Sequence, residues 1–163
     1  MITYKLFRIK NGKLYPLYIE YKREMPCGIC LDAAIGPIID ETHVKGRCGP
    51  LRLRPGFHST FLPFTDWIGK KGPDGKLYQK KDTVWCRCEV KGKEEIVTDP
   101  NGLTRLPKDW YFFKTNVCQK DPWVISNNLF IHEIISQEEV KRICAEHGIT
   151  AQPTEDEICD EYS

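Results

Sequence analysis

The stretch "LRLRPGFHST", residues 51–60, gathers two arginines, an imidazole and two hydroxyls around a Pro-Gly step and runs into the aromatic segment from Phe61 to Trp67. Pro55 fixes its own φ and Gly56 adopts conformations closed to other residues, so the pair predicts a bend that lets backbone come close to a ligand. With Phe57 turned inward, His58 with Ser59 or Thr60 would then present hydrogen-bonding groups at one place, the wall of a cleft. The same residues also read as plain strand and turn. An imidazole beside Phe is commonly satisfied by a nearby carbonyl, and Ser59 and Thr60 can cap the turn before "LPFTDW".

Thiols are the second source of chemistry. "CGIC" (Cys27, Cys30) and "CRC" (Cys86, Cys88) together hold four potential zinc ligands. Structural zinc sites draw ligand pairs from tight knuckles, whereas Cys86 and Cys88 sit in "TVWCRCEV", where a strand points both to one face. A buried pair of free thiols is the better reading, and no metal is expected. The eight cysteines are expected to be reduced. His132 and Glu133, adjacent in a strand, point to opposite faces and would not act as a pair, while His43 and His147 read as loop and helix-end residues. GxGxxG, GxxxxGK[ST], HExxH and GxSxG are all absent, so dinucleotide-motif, P-loop, zincin and hydrolase-elbow chemistries have no sequence support.

The elements that must position these residues are legible in part. "TYKLFRIK" and "KLYPLYIEY" flank Asn11-Gly12, which suits a two-residue type I′ turn and predicts a β-hairpin whose second strand lies at an edge or is broken at Pro16. Residues 25–50 are punctuated by Gly and Pro and predict a long, partly irregular connection. Asp74-Gly75 predicts a turn. "DTVWCRCEV" predicts a strand with Val84, Cys86, Cys88 and Val90 on one face and Trp85, Arg87 and Glu89 on the other. Residues 91–109 read as loop. "WYFFKTN" and "PWVISNNLFIHEII" return to strand, the latter bending at Ser126-Asn127-Asn128. Ser136 as N-cap, Glu139 three residues on, the stripe Val140, Ile143 and Cys144, and Gly148 beyond predict one helix. The fold class expected is α+β: a curved antiparallel or mixed β-sheet with an N-terminal hairpin, long irregular loops and one C-terminal helix, in a single domain over 1–150.

Of the 163 residues 40% are hydrophobic and 11% aromatic, enough to fill one core. No apolar run approaches the roughly 18 residues of a membrane span, and "MITYKLFRIKNGK" alternates where a signal peptide would be unbroken, so a soluble, cytoplasmic protein without a membrane partner is expected. The net charge of +1 conceals an asymmetry. Residues 1–92 carry 17 Lys and Arg against 9 Asp and Glu, and the remainder is acidic. The tail "PTEDEICDEYS", residues 153–163, is acidic and aperiodic, which predicts a mobile segment over 151–163. The basic residues are dispersed, as on an ordinary solvated surface. A nucleic-acid binder would nonetheless place Arg52, Arg54, Lys70, Lys71, Lys80 and Lys81 on phosphates.

In the order "LRPGFHST…PFTDWIG", "VWCRCEV", "LPKDWYFFKTN" and "DPWVISNNLFIHEIIS", residues 1–150 resemble an uncharacterised family of small proteins carried by bacteriophages and mobile elements of gut bacteria. Three short segments are also similar to the ADP-ribosyltransferase fold. That resemblance implies NAD as a cofactor, with Arg8 from "YKLFR", His58 from "GFHST" and Glu133 from the last strand as the catalytic set. Arg54, Ser59 and Thr60 would bind the cofactor, and Tyr111, like Phe57, Phe61 and Phe112, would stack on nicotinamide, although each of these aromatics also reads as plain core. No E-x-E or Q-x-E triplet accompanies Glu133. In such a site an arginine grips the pyrophosphate and a carboxylate offsets oxocarbenium charge. The competing reading is a non-catalytic binding protein or inhibitor acting on a host protein or nucleic acid.

Overall fold

The computed structural model describes the backbone of residues 1–162 and side chains through residue 158. In chain order the strands are β1 (Ile2–Lys10), β2 (Lys13–Tyr15), β3 (Cys30–Asp32), β4 (His43–Gly46), β5 (Gly49–Arg52), β6 (Phe57–Ser59), β7 (Lys70–Lys71), β8 (Leu77–Tyr78), β9 (Thr83–Glu89), β10 (Trp110–Phe113), β11 (Trp123–Ser126) and β12 (Asn128–Ile134). Two helices follow, α1 (Gln137–Glu146) and α2 (Glu155–Tyr162). The fold is dominated by sheet. A five-stranded sheet runs β2-β1-β9-β12-β3, a three-stranded sheet runs β10-β11-β6, and β4–β5 and β7–β8 are separate hairpins.

The β1–β2 hairpin forms on the expected turn: Lys10 pairs with Lys13, and Asn11 and Gly12 take φ of 53° and 75°. Its ladder stops at Arg8↔Tyr15, since Pro16 has no amide to continue it. β9 lies at the centre of the larger sheet and shows the expected alternation. Phe7, Cys86, Cys88, Leu129 and Ile131 meet Phe57 and Val124 of the smaller sheet. On the opposite face Tyr4, Leu6 and Trp85 pack against Val140, Ile143 and Cys144 of α1. The larger sheet is thus covered on both sides.

The bend expected at Ser126-Asn127-Asn128 is where the chain changes sheets. β11 belongs to the small sheet and β12 to the large one, with Asn127 between them. A second irregularity bears on the candidate acid. The register on β9 passes from Ile131↔Cys88 to Glu133↔Arg87, so His132 is the extra residue of a β-bulge. The bulge reverses facing parity: Leu129 and Ile131 face the small sheet, whereas Ile135 faces α1.

α1 begins at Ser136, whose Oγ accepts the Glu139 amide at 3.2 Å. The Glu139 carboxylate turns to Arg142 and Arg87 instead of closing the capping box.

Between residues 25 and 52 the partly irregular connection contains β3 and the β4–β5 hairpin. Two expectations are corrected. A second helix, α2, follows the one expected. Residues 152–157, expected to be part of a free tail, are tied to the domain. The Gln79 amide donates to Pro153 O (2.8 Å), the Glu155 amide donates to Gln79 O (3.0 Å), Gln152 Nε2 donates to Ile68 O (2.8 Å), and Lys141 pairs with Glu157 at 3.3 Å. Ile149 and Ala151 lead the chain to Gln79, just beyond β8, by packing on the α1 core. The side chains of the tail's last residues, Cys159 among them, lie outside the described residues.

Candidate functional site

Because β2 ends before Pro16, the first half of β1 has no strand neighbour on that side except at one point, where the Tyr4 amide and carbonyl exchange hydrogen bonds with Thr60 at 2.7 and 2.8 Å. The ladder parity that turns the Tyr4 backbone to Thr60 turns the Leu6 backbone the same way. There a cleft of about 470 Å³ opens, within the size range of small-molecule sites. Its lining comes from far apart in the chain: Tyr4, Lys5 and Leu6 of β1, the 16–20 segment, Ala33 and Ala34, Leu51, Arg52 and Arg54, Gly56 to His58, Thr65, Trp67 and Ile68, Trp85 and Trp123.

Charge in this cleft is unbalanced. Lys5, Arg23, Arg52 and Arg54 line it, with Glu20 as the acidic residue. Among the described residues none of the four cations is paired with a carboxylate, whereas Arg87, Arg105 and Arg142 elsewhere all are. Backbone and rings hold the cations instead. Lys5 Nζ donates to His58 O at 2.8 Å. Arg23 Nη2 donates to Asp32 O at 2.8 Å and lies over Phe57. Arg54 Nε donates to Asn101 O at 3.1 Å, with its guanidinium carbon 4.5 Å from the centre of the Phe113 ring. Burial, then the neighbouring Arg52, both work against the Arg54 charge. Burial pulls the Lys5 amine down to about 8.

His58 joins this group through its ring, which meets Trp123 edge-on at 5.8 Å and places Nδ1 3.3 Å from Gly56 O. That contact requires the proton on Nδ1 and leaves the lone pair on Nε2. Burial, followed by the charge of Lys5, pushes the imidazole down to about 3, so it is neutral at physiological pH. A stability signature follows. The unfolded chain takes up this proton near 6.5 and the folded chain resists until about 3, so stability should fall as pH drops through that window. The ring keeps some contact with water, which reduces the loss to roughly 1–3 kcal/mol. His58→Gln should lack this component: the urea midpoint of the wild type should fall further than that of the variant between neutral pH and pH ~4, and parallel curves would refute the assignment.

The other sequence candidates lie elsewhere. Arg8 donates Nε–H to Pro16 O (3.1 Å) and a guanidinium N–H to Tyr21 O, clamping the segment after β2, and it borders a separate recess with Arg47, Lys80 and Asp82. Its parity on β1 is that of Tyr4 and Leu6, which face α1, whereas His58 is paired with Ile125 in the other sheet. Glu133 is held by Arg87, which also reaches Glu139 on α1, because the bulge at His132 turns it there. Ser59 is fully buried, its Oγ without a partner among the described residues. Thr60 Oγ1 donates to Leu62 O at 2.6 Å. Tyr111 is wholly buried with Phe113 and Ile125, its hydroxyl accepting the Leu103 amide. Of the seven residues proposed from sequence, the cleft brings together His58 and Arg54.

Lys5, Arg23, Trp67 and Trp123 were not singled out from the sequence. For Lys5 a signal existed: in "ITYKLF" it takes the same parity as Thr3 and Phe7, both of which are fully buried. A lysine on the inward side of a strand is a departure that demands a reason.

Cys27 and Cys30 are exposed, while Cys86 and Cys88 are buried with thiols pushed up, Cys88 to about 12. Among the described residues no cluster of three or more His, Cys, Asp or Glu side chains is placed to hold a metal, and no helix is long and apolar enough to cross a membrane. Compared with family models, with curated proteins and with solved structures, the chain matches none.

Proposed function

We propose that this chain is a small-molecule binding protein whose cleft takes an anionic, ring-bearing ligand of the nucleotide class, with NAD and its fragments as the first candidates. The observation that carries the reading is the set of four cations, Lys5, Arg23, Arg52 and Arg54, brought together without carboxylate partners beside Trp67 and Trp123. Lys5, Arg23 and Arg54 are half-buried; such charge with no counter-ion is costly, and a bound phosphate or carboxylate removes that cost while accepting charge-assisted hydrogen bonds. Trp67, 54% exposed at the rim, offers a face for a base or nicotinamide to stack on. His58 adds a neutral acceptor at Nε2.

The α+β domain acts in this reading as a binder and not as a transferase. Arg8 is committed to backbone carbonyls and Glu133 to Arg87, so neither the pyrophosphate grip nor the ribose-side carboxylate of the ADP-ribosyltransferase pattern stands at the cleft. Calorimetry of the full chain with AMP, ADP-ribose and NAD tests it. Saturable binding is expected, weakened roughly 10- to 150-fold by Arg54→Ala, the range for a lost charged hydrogen bond. NAD should be recovered intact. An absence of saturable heat at millimolar nucleotide, or an Arg54→Ala variant that binds as well as the wild type, overturns the reading. Release of nicotinamide would restore the transferase.

A further inference from the structure

We infer that Lys5 is a nucleophilic amine in this cleft and that it captures an anionic aldehyde or ketone as an imine. The inference rests on the anionic-ligand reading above and adds a covalent step to it. Its basis is placement. Lys5 lies on the inward face of β1, between the fully buried Thr3 and Phe7, and still borders the cleft. One Nζ–H is anchored on His58 O at 2.8 Å, which holds the nitrogen in place. Among the described residues no carboxylate pairs with it, so burial outweighs the opposing influence of Cys88 and favours the free amine.

The groups facing Lys5 agree. On β9 stand the Cys86 and Cys88 thiols, both pushed up by burial and therefore neutral, and on β6 stands a neutral His58 with Arg54 beyond it. The amine, drawn down to about 8, is free in a substantial fraction of molecules at neutral pH, whereas an ordinary surface lysine near 10.5 is almost wholly protonated. Arg52 and Arg54 would hold the anionic group of the incoming molecule, and Trp67 or Trp123 its ring. The chemistry balances without an oxidant or a metal. The Nζ lone pair forms a bond to the carbonyl carbon, the carbonyl oxygen takes up a proton, and loss of one water, carrying both former amine protons, leaves the C=N bond.

Pyridoxal 5′-phosphate is a suitable probe, an aldehyde on a planar ring with a phosphate. The full chain is incubated with it, the imine is reduced with borohydride, and the modified peptides are mapped by mass. Lys5 should be labelled on the order of tenfold faster than any other lysine, with a rate that rises through pH ~8. AMP should protect it, and pyridoxal lacking the phosphate should label it poorly. Lys5→Arg keeps the positive charge but has no primary amine and should lose the adduct. If AMP binds but labelling spreads evenly over the lysines, or persists unchanged in Lys5→Arg, the covalent step is overturned and the binding reading stands. If neither AMP nor the probe is retained, both fall.

Discussion

Phe7→Ala should cost about 3–5 kcal/mol, a large part of the stability of a domain this size, and should lower the urea midpoint with little change in slope. Phe7 is wholly excluded from solvent in the core between the two sheets, packed with Cys86, Val124 and Leu129 among others. The side chains that would have to close the cavity come from strands fixed by their own ladders: β1 pairs with β9 across seven residues, and β11 is flanked by β10 and β6. A site so framed cannot collapse, which puts the cost toward the top of the range. Phe112→Ala is the comparison. That ring is 38% exposed, leaning on Phe61 and Trp110, and its loss should cost on the order of 1 kcal/mol. Equal effects of the two substitutions would mean that the inter-sheet core is not where stability resides.

Gly56→Ala is the second large effect, roughly 2–5 kcal/mol. The residue sits at φ +133°, a conformation closed to side chains, and an added Cβ would lie 2.7 Å from Ile125 Cγ2 and 2.9 Å from Ser126 O. One obstacle is a packed side chain and the other is backbone, so relaxation must move β11 or β6. Gly75→Ala separates strain from collision: its φ is +79°, with nothing within 4 Å of the new carbon, and about 1 kcal/mol is expected. Parity between the two variants would contradict the close approach of Gly56 to β11. A displaced Gly56 should also lift His58 from Trp123, so the acid sensitivity assigned to that imidazole should change along with the midpoint.

What the sequence disclosed is what short-range chemistry decides. Asn11-Gly12 needs only two residues to make its turn, the alternation of Val84, Cys86, Cys88 and Val90 needs only strand geometry, and Ser136 with Val140, Ile143 and Cys144 needs only a helix. Even the bend at residues 126–128 was local. The cleft was not, because it is made by proximity: Lys5 is brought to the His58 carbonyl across 53 residues and Arg54 to that of Asn101 across 47. Tyr111 was legible as aromatic, but whether an aromatic stacks on a ligand or fills a core depends on which sheet covers it. Glu133 shows the finest dependence: one bulged residue decides that it meets Arg87. The anchoring of residues 152–157 is hidden for a related reason. Acidic composition argued for freedom, and the backbone of Gln79 that holds the segment lies far away in sequence.

The order of strands in the larger sheet also governs how the chain emerges during synthesis. β1 lies between β2 and β9, and β9 lies between β1 and β12. The first hairpin is therefore made early with nothing to cover Tyr4, Leu6 or Phe7, and its long open edge waits for residues 83–89 and the full core for 128–134. At ribosomal speeds that wait is on the order of ten seconds. A nascent chain stalled between β2 and β9 would expose an apolar, unpaired strand and be prone to associate with its neighbours. Translation rate and chaperone supply, more than final stability, would then set the yield of folded protein.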